Sequence, residues 1–321
     1  MLPARGSAFR QVVAIAAVAA TLGACGGGGE TSPTPSHIGI PVNALVRSLA
    51  FGEGSVWATL ENERSVVRID PDAGAVTHSI AVEGQPRDVA AGGEGVWVAT
   101  DDAVARIDPE TNRAAIVRRL AGRPVKPGIA VGGGSVWAIG PDETIVRIDA
   151  GSGDVLATTD LPDAARALAF GEGSLWVGMF NSDVARVDPG TNRIAGTVEA
   201  GLGPEDIAVS SGGVWAVGES SGDVTRIDPD TVRVEERVPV GKSPGPIAAV
   251  DDEVWVGVQG TGEIARIDPD TNRVSKRISV DDGVGVNPIP LAISGADGDL
   301  WVAVTGGRIL QVDPATGHLG P

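Results

Sequence analysis

The groups of this chain best suited to chemistry are arginines and carboxylates that recur at one point of a repeated unit. Aligned on Pro-x-x-Ile-Ala, Arg47, Arg87 and Arg166 hold equivalent positions, and Glu205 holds the same position in another unit with Asp206 beside it. Lys126 and Lys242 lie close by. Guanidinium forks gathered at one mouth suit a carboxylate, a phosphate or a zwitterion. The alternative is local neutralisation, because neighbouring loops carry Glu61, Glu63, Asp101, Asp102, Asp142, Glu143, Asp183, Glu219 and Asp223. Both readings stand at this stage. The acidic loops lack the D-x-[DN]-x-[DN]-G spacing of a calcium loop. Cys25 is the only cysteine, which excludes an internal disulfide and cysteine-type zinc sites. With three histidines, His37, His78 and His318, no metal and no cofactor is expected. No glycine-rich run opens a helix, so GEGS and GGGS read as turns and not as phosphate cradles.

The elements that must position these groups are counted by tryptophan. Seven tryptophans fall at 57, 97, 137, 176, 215, 255 and 301, the first six spaced by 39 or 40 residues and the last by 46. A second marker keeps phase with them: RIDP (68–71), RIDP (106–109), RIDA (147–150), RVDP (186–189), RIDP (226–229), RIDP (266–269) and QVDP (311–314). In the unit 204–240, PEDIAVS, VWAVGE, DVTRIDP and RVEERVPVG are short apolar or alternating runs separated by SGG, SSG and DTV. Four short strands with Gly, Asp, Asn and Pro between them predict antiparallel pairing through tight turns. A four-stranded unit of about 40 residues is a propeller blade. The expected fold is all-β, a seven-bladed β-propeller over 37–321.

The last unit stops at ATGHLGP without a fourth run, so the 37–41 segment is expected to pair with its third strand and close the ring. Closure removes sheet edges. The tryptophans read as filling between blades, and Asp-Pro-x-Thr-Asn, as in 108–112, reads as turn chemistry. Arg226 and Asp228, two apart on one strand, are candidates for pairing across blades.

The run LWVGMFNSDVARVDPGTNRIAGTVEAGLGPEDIAV (175–209) resembles the YVTN-type repeat of YncE-like β-propeller proteins. The likeness extends over 37–321, and the blade pattern is also similar to streptogramin B (virginiamycin B) lyases and NHL-type propellers. YncE-like kinship implies a non-enzymatic extracytoplasmic scaffold. Lyase kinship implies a metal-assisted site of histidine and glutamate. This chain departs from that pattern, reading WVAT or WVGV where lyase repeats read Trp-Phe-Thr-Glu, and its histidines fall on outer strands or the tail. A binding scaffold is the leading expectation and a lyase or carboxylate-dependent hydrolase the rival.

The N-terminus reads as an address. Arg5 and Arg10 precede the apolar VVAIAAVAATLGA (12–24), too short to span a bilayer comfortably, which ends in Leu22-Gly23-Ala24-Cys25. This resembles a bacterial lipobox. It implies a signal peptide over 1–24, lipidation of Cys25, and an extracytoplasmic, membrane-anchored protein of the cell envelope. GGGGETSPTPS (26–36) reads as a tether. The net charge is −17, and loss of the two arginines leaves about −19. Such a surface repels phosphate backbones, so nucleic acid is not an expected partner. The expected partner is an envelope protein or a small anionic ligand, and the expected state a monomer.

Overall fold

The computed structural model describes residues 38–92, 95–201, 203–281, 288–296 and 298–320. The chain divides into Met1–Ser36 and His37–Pro321, and every described residue belongs to the second unit. The leader, Cys25, the tether and His37 therefore lie outside the described residues.

Seven antiparallel sheets make up the described residues. Blade 5 shows the pattern: Pro204–Ser210, Gly213–Gly218, Asp223–Asp228 and Arg233–Pro239, paired in that order. The first strands are Val46–Gly52, Pro86–Ala91, Ile129–Gly132, Ala165–Gly171, Pro204–Ser210, Pro244–Val250 and Pro290–Ala296. Each neighbours the first strands of the blades before and after it, and blade 1 meets blade 7, which closes the ring. The second strands are buried on both faces, whereas fourth strands alternate exposed and half-buried residues. The burial pattern explains the composition: inner strands are nearly all apolar and outer strands carry the charge.

The tryptophans hold the blades together. All seven are 0–1% exposed. Trp57 packs with Val66 of its own blade and with Val96, Val98 and Ala105 of the next. Trp301 does the same between blades 7 and 1. The arginine of the second marker stands opposite the tryptophan in register and lies over its ring, at 5.2 Å for Arg68 on Trp57 and 4.8 Å for Arg147 on Trp137. Its far end crosses to the next blade. Arg68 donates to the Pro109 carbonyl at 2.7 Å and to Asn112 Oδ1 at 3.1 Å. Arg147 reaches Pro189 and Asn192, and Arg226 reaches Pro269 and Asn272, in the same way.

This corrects the expectation for Arg226 and Asp228. The arginine crosses blades, but its partners there are a turn carbonyl and an asparagine, and on its own blade it pairs with Glu235 at 2.8 Å. The aspartate serves its own turn: Asp228 accepts from the Asp230 and Thr231 amides at 2.8 Å. Those amides hold its carboxyl below the usual range, led by Thr231. Asn112, Asn192 and Asn272 take φ of 53°, 54° and 53°, the left-handed region that asparagine tolerates and that places each amide under the preceding blade's arginine.

Ring closure also differs from expectation. Ile40–Pro41 pairs with Ile309 and Arg308, as the sequence implies. The C-terminal tail is not short of a strand, however. Leu319–Gly320 pairs with Val312 and Gln311, so both ends of the described chain share the fourth position of blade 7. The turn that returns the tail is built like the others, with Asp313 accepting from Ala315 and Thr316.

Candidate functional site

A cavity of about 770 Å³ is lined by first-strand residues of all seven blades. Arg47, Arg87, Arg166, Glu205 and Asp206 all line it, joined by Arg123 and Lys126. The cations come from blades 1, 2 and 4 and from the connection between blades 2 and 3, and the Glu205–Asp206 pair from blade 5. Lys242 is not part of the wall.

The backbone explains how adjacent residues reach one cavity. Neighbours on a regular strand face opposite sides. Register shifts between Pro86 and Asp88, and between Pro204 and Ile207, mark bulges that turn both Arg87 and Asp88, and both Glu205 and Asp206, to the cavity.

The arginines are engaged by loop carboxylates. Glu61 pairs with both Arg47 and Arg87, and Arg87 also bonds Asp101 at 2.8 Å. Arg166 pairs with Glu205 and, at 2.9 Å, with Glu219. The guanidinium of Arg166 also lies 5.3 Å from the ring of Phe180, which is 43% exposed. Neutralisation is thus built into the mouth. It does not make the mouth inert at blades 4 and 5, where Lys126–Glu205 and Arg166–Glu219 are partly open to solvent and exposed ion pairs contribute about 0–1 kcal/mol each.

The connection before blade 3, residues 120–128, is longer than those before blades 2, 4, 5 and 6 and lies along the mouth. From it Lys126 Nζ donates to Glu205 Oε1 at 3.0 Å and to the Glu205 carbonyl at 3.2 Å, passing blade 4 to reach blade 5. Pro124 and Pro127 restrict this strap, and Val125 on it is 75% exposed.

Asp88 is the wall residue that the sequence reading passed over. It follows Arg87 as Asp206 follows Glu205, and that shared position was the available signal. Asp88 clips three blades together and Asp206 two. Asp88 accepts from Ser48 Oγ of blade 1 at 2.6 Å, from its neighbour Val89 N at 2.9 Å, and from Ile129 N of blade 3 at 2.9 Å. Asp206 accepts from Ile207 N at 2.9 Å and from Ile247 N of blade 6 at 3.1 Å. Burial in the wall pushes both carboxyls up, Asp206 to about 7, against the pull of the amides and of Lys126. The charge of Asp88 pushes Asp206 further in the same direction.

Among the described residues no group of three or more His, Cys, Asp or Glu side chains is placed to hold a metal ion. His78 sits on the outer strand Ala75–Ala81 and His318 beside the C-terminal strand, both remote from the cavity wall.

The architecture is that of the seven-bladed β-propellers, and solved structures share it. A chain of Kuenenia stuttgartiensis hydrazine synthase is 15% identical with a TM-score of 0.69, over 89% of this chain and 99% of that one. A chain of a mitotic checkpoint complex is 14% identical with a TM-score of 0.73, over 93% and 99%. BamB from Moraxella catarrhalis is 14% identical with a TM-score of 0.61, over 83% and 84%. At these identities the likeness establishes the fold alone. No family model matches the chain, and no curated protein matches it in sequence.

Proposed function

We propose that the chain is a binding scaffold of the bacterial envelope, fastened through lipidated Cys25 and presenting the cavity mouth to its partner. One observation carries the reading: cations from three blades and the connection between blades 2 and 3 converge on one cavity in a chain of net charge −17. The partner is a small anionic ligand or an acidic face of an envelope protein. A propeller chain within a mitotic checkpoint complex supports the use of this architecture for assembly. The YVTN-type repeat supports kinship with YncE-like scaffolds. Binding is favoured over acid–base catalysis because the mouth carboxylates are taken up by arginine and lysine, while Asp88 and Asp206 are taken up by wall amides.

The test is thermal unfolding of the purified protein against small anions, envelope glycans, divalent metals and streptogramin B. A ligand at 100 times its Kd adds about 2.7 kcal/mol. That corresponds to several degrees in Tm, at roughly 2–4 °C per kcal/mol. The expected result is a shift with anions that disappears in Arg87→Gln and Arg166→Gln. A shift that survives both substitutions sinks the mouth as the anion site, and a shift only with metal plus streptogramin B moves the assignment to a lyase. Anchoring is checked in cells: Cys25→Ser is expected to move the protein from the membrane to the soluble fraction. Unchanged membrane association removes the anchor from the reading.

A further inference from the structure

The mouth holds a carboxylate of its own. Glu205 sits between Lys126 of the strap and Arg166 of blade 4, taking a bond from each. Its side chain is 30% exposed, that of Arg166 19% and that of Lys126 39%, so the group is set into the wall yet open to the cavity. Six blades also line the cavity with an aliphatic residue at one equivalent first-strand position, a collar of largely buried side chains: Leu49, Val89, Ile129, Leu168, Ile247 and Ile293. All but Ile129 follow a bulged position, so their spacing around the ring is set by the repeat itself. Asp88 accepts from the amides of the collar residues Val89 and Ile129, and Asp206 from those of the collar residue Ile247 and of Ile207, its blade 5 equivalent. A second anionic group among these acids is disfavoured, whereas a neutral apolar body is not.

We propose that the mouth binds a small ligand with a carboxylate head and an apolar body, and that the Glu205 carboxylate occupies the head's place until the ligand displaces it. This deepens the reading of the mouth as the binding surface and rests on it. The head meets one guanidinium and one ammonium, the donors that Glu205 uses now, and the body enters the collar. Cavities of about 300–1,000 Å³ suit ligands of this kind, with apolar walls giving contact and a few polar groups fixing orientation. Glu205 is then a resident competitor, which lowers affinity without altering which head group is recognised.

Isothermal titration of the full-length protein with octanoate, octanol and inorganic phosphate tests the proposal. Octanoate is expected to bind the wild type weakly and Glu205→Gln at least tenfold more tightly. Glu219→Gln, which removes the second carboxylate on Arg166 and leaves Glu205 in place, gives a smaller gain and guards against a Glu205 variant that is misfolded. Adding Arg166→Gln and Lys126→Gln to Glu205→Gln abolishes the gain, and octanol shows none at any stage. Octanoate binding that is unchanged or weaker in both glutamate variants overturns the competitor role. Phosphate that binds and is lost with Arg166→Gln, while octanoate does not bind, overturns the carboxylate and apolar body but leaves the mouth an anion site. No anion binding to the wild type or to either glutamate variant removes the anion site itself.

Discussion

Between pH 4 and pH 7 the propeller is expected to lose stability as the pH rises. The Asp206 carboxyl is raised from 3.8 to about 7 by burial in the cavity wall. In this window the native state keeps a proton that the unfolded chain has released, and stability falls with pH wherever the native state binds more protons. The stabilisation is complete below pH 4, fades towards pH 7 and is flat above. A shift of this size corresponds to about 4 kcal/mol, at 1.36 kcal/mol per unit. Asp88, raised for the same reason, acts with the same sign. The turn aspartates act oppositely. Asp108, Asp149, Asp188, Asp228, Asp268 and Asp313 are lowered, chiefly by hydrogen bonds from the turns they start. Their contribution is present above the unfolded value and is lost as the pH falls through the folded one. Stability therefore peaks near pH 4. Urea midpoints from pH 3 to pH 8 check this, and Asp206→Asn is expected to flatten the limb above pH 4. A midpoint that stays constant from pH 4.5 to 7.5 contradicts the assignment.

Trp215→Ala is expected to cost about 3–5 kcal/mol, the usual range for emptying an aromatic site in a packed core. Trp215 fills the seam between blades 5 and 6 with Val254 and Val256. It donates Nε1–H to Ser210 Oγ at 2.9 Å and carries the Arg226 guanidinium at 5.2 Å. Alanine leaves a void, an unmet hydroxyl and an arginine without its platform, and that arginine is the one that reaches Asn272 of blade 6. Trp215→Phe keeps most of the filling and is expected to cost roughly 1–2 kcal/mol, close to one hydrogen bond and part of the ring. Denaturant unfolding of the two variants reads the difference. Equal losses would show that the ring volume contributes nothing at this seam.

The number and order of the blades were legible because each seam demands the same large flat side chain, and seven tryptophans in phase with seven Asp turns admit one architecture. Other features depend on information that periodicity does not hold. The partner of Arg226 follows from the stagger between neighbouring blades, which brings a turn carbonyl and Asn272 within reach and keeps Asp228 at home. The strand Leu319–Gly320 is too short to show alternation. At the site, the shared position of Arg47, Arg87, Arg166 and Glu205 was visible once the units were aligned. That Asp88 turns to the same cavity as Arg87 was not, because strict alternation places neighbours on opposite faces and only the bulge brings them together. Arg47–Glu61 and Arg87–Asp101 each lie within one blade, whereas Glu61–Arg87, Glu205–Arg166 and Glu219–Arg166 join neighbouring blades, so sequence could name their members without pairing them.

The shared outer position of blade 7 bears on how the molecule comes to be folded. Ile40 is among the first of the described residues to be synthesised, and its partner Ile309 is among the last. Bringing such distant positions together carries a loop-closure entropy that grows with the separation, and contacts of this range slow folding. Blades 1 to 6 can each form from consecutive strands, but the last seam waits for the chain to be finished. Until then Trp301 has no blade 1 face to settle against and the ring stays open at one known place. Completion of the fold is therefore a late event: a molecule truncated before Pro290 has no first strand of blade 7 to meet blade 1, and its ring is expected to stay open.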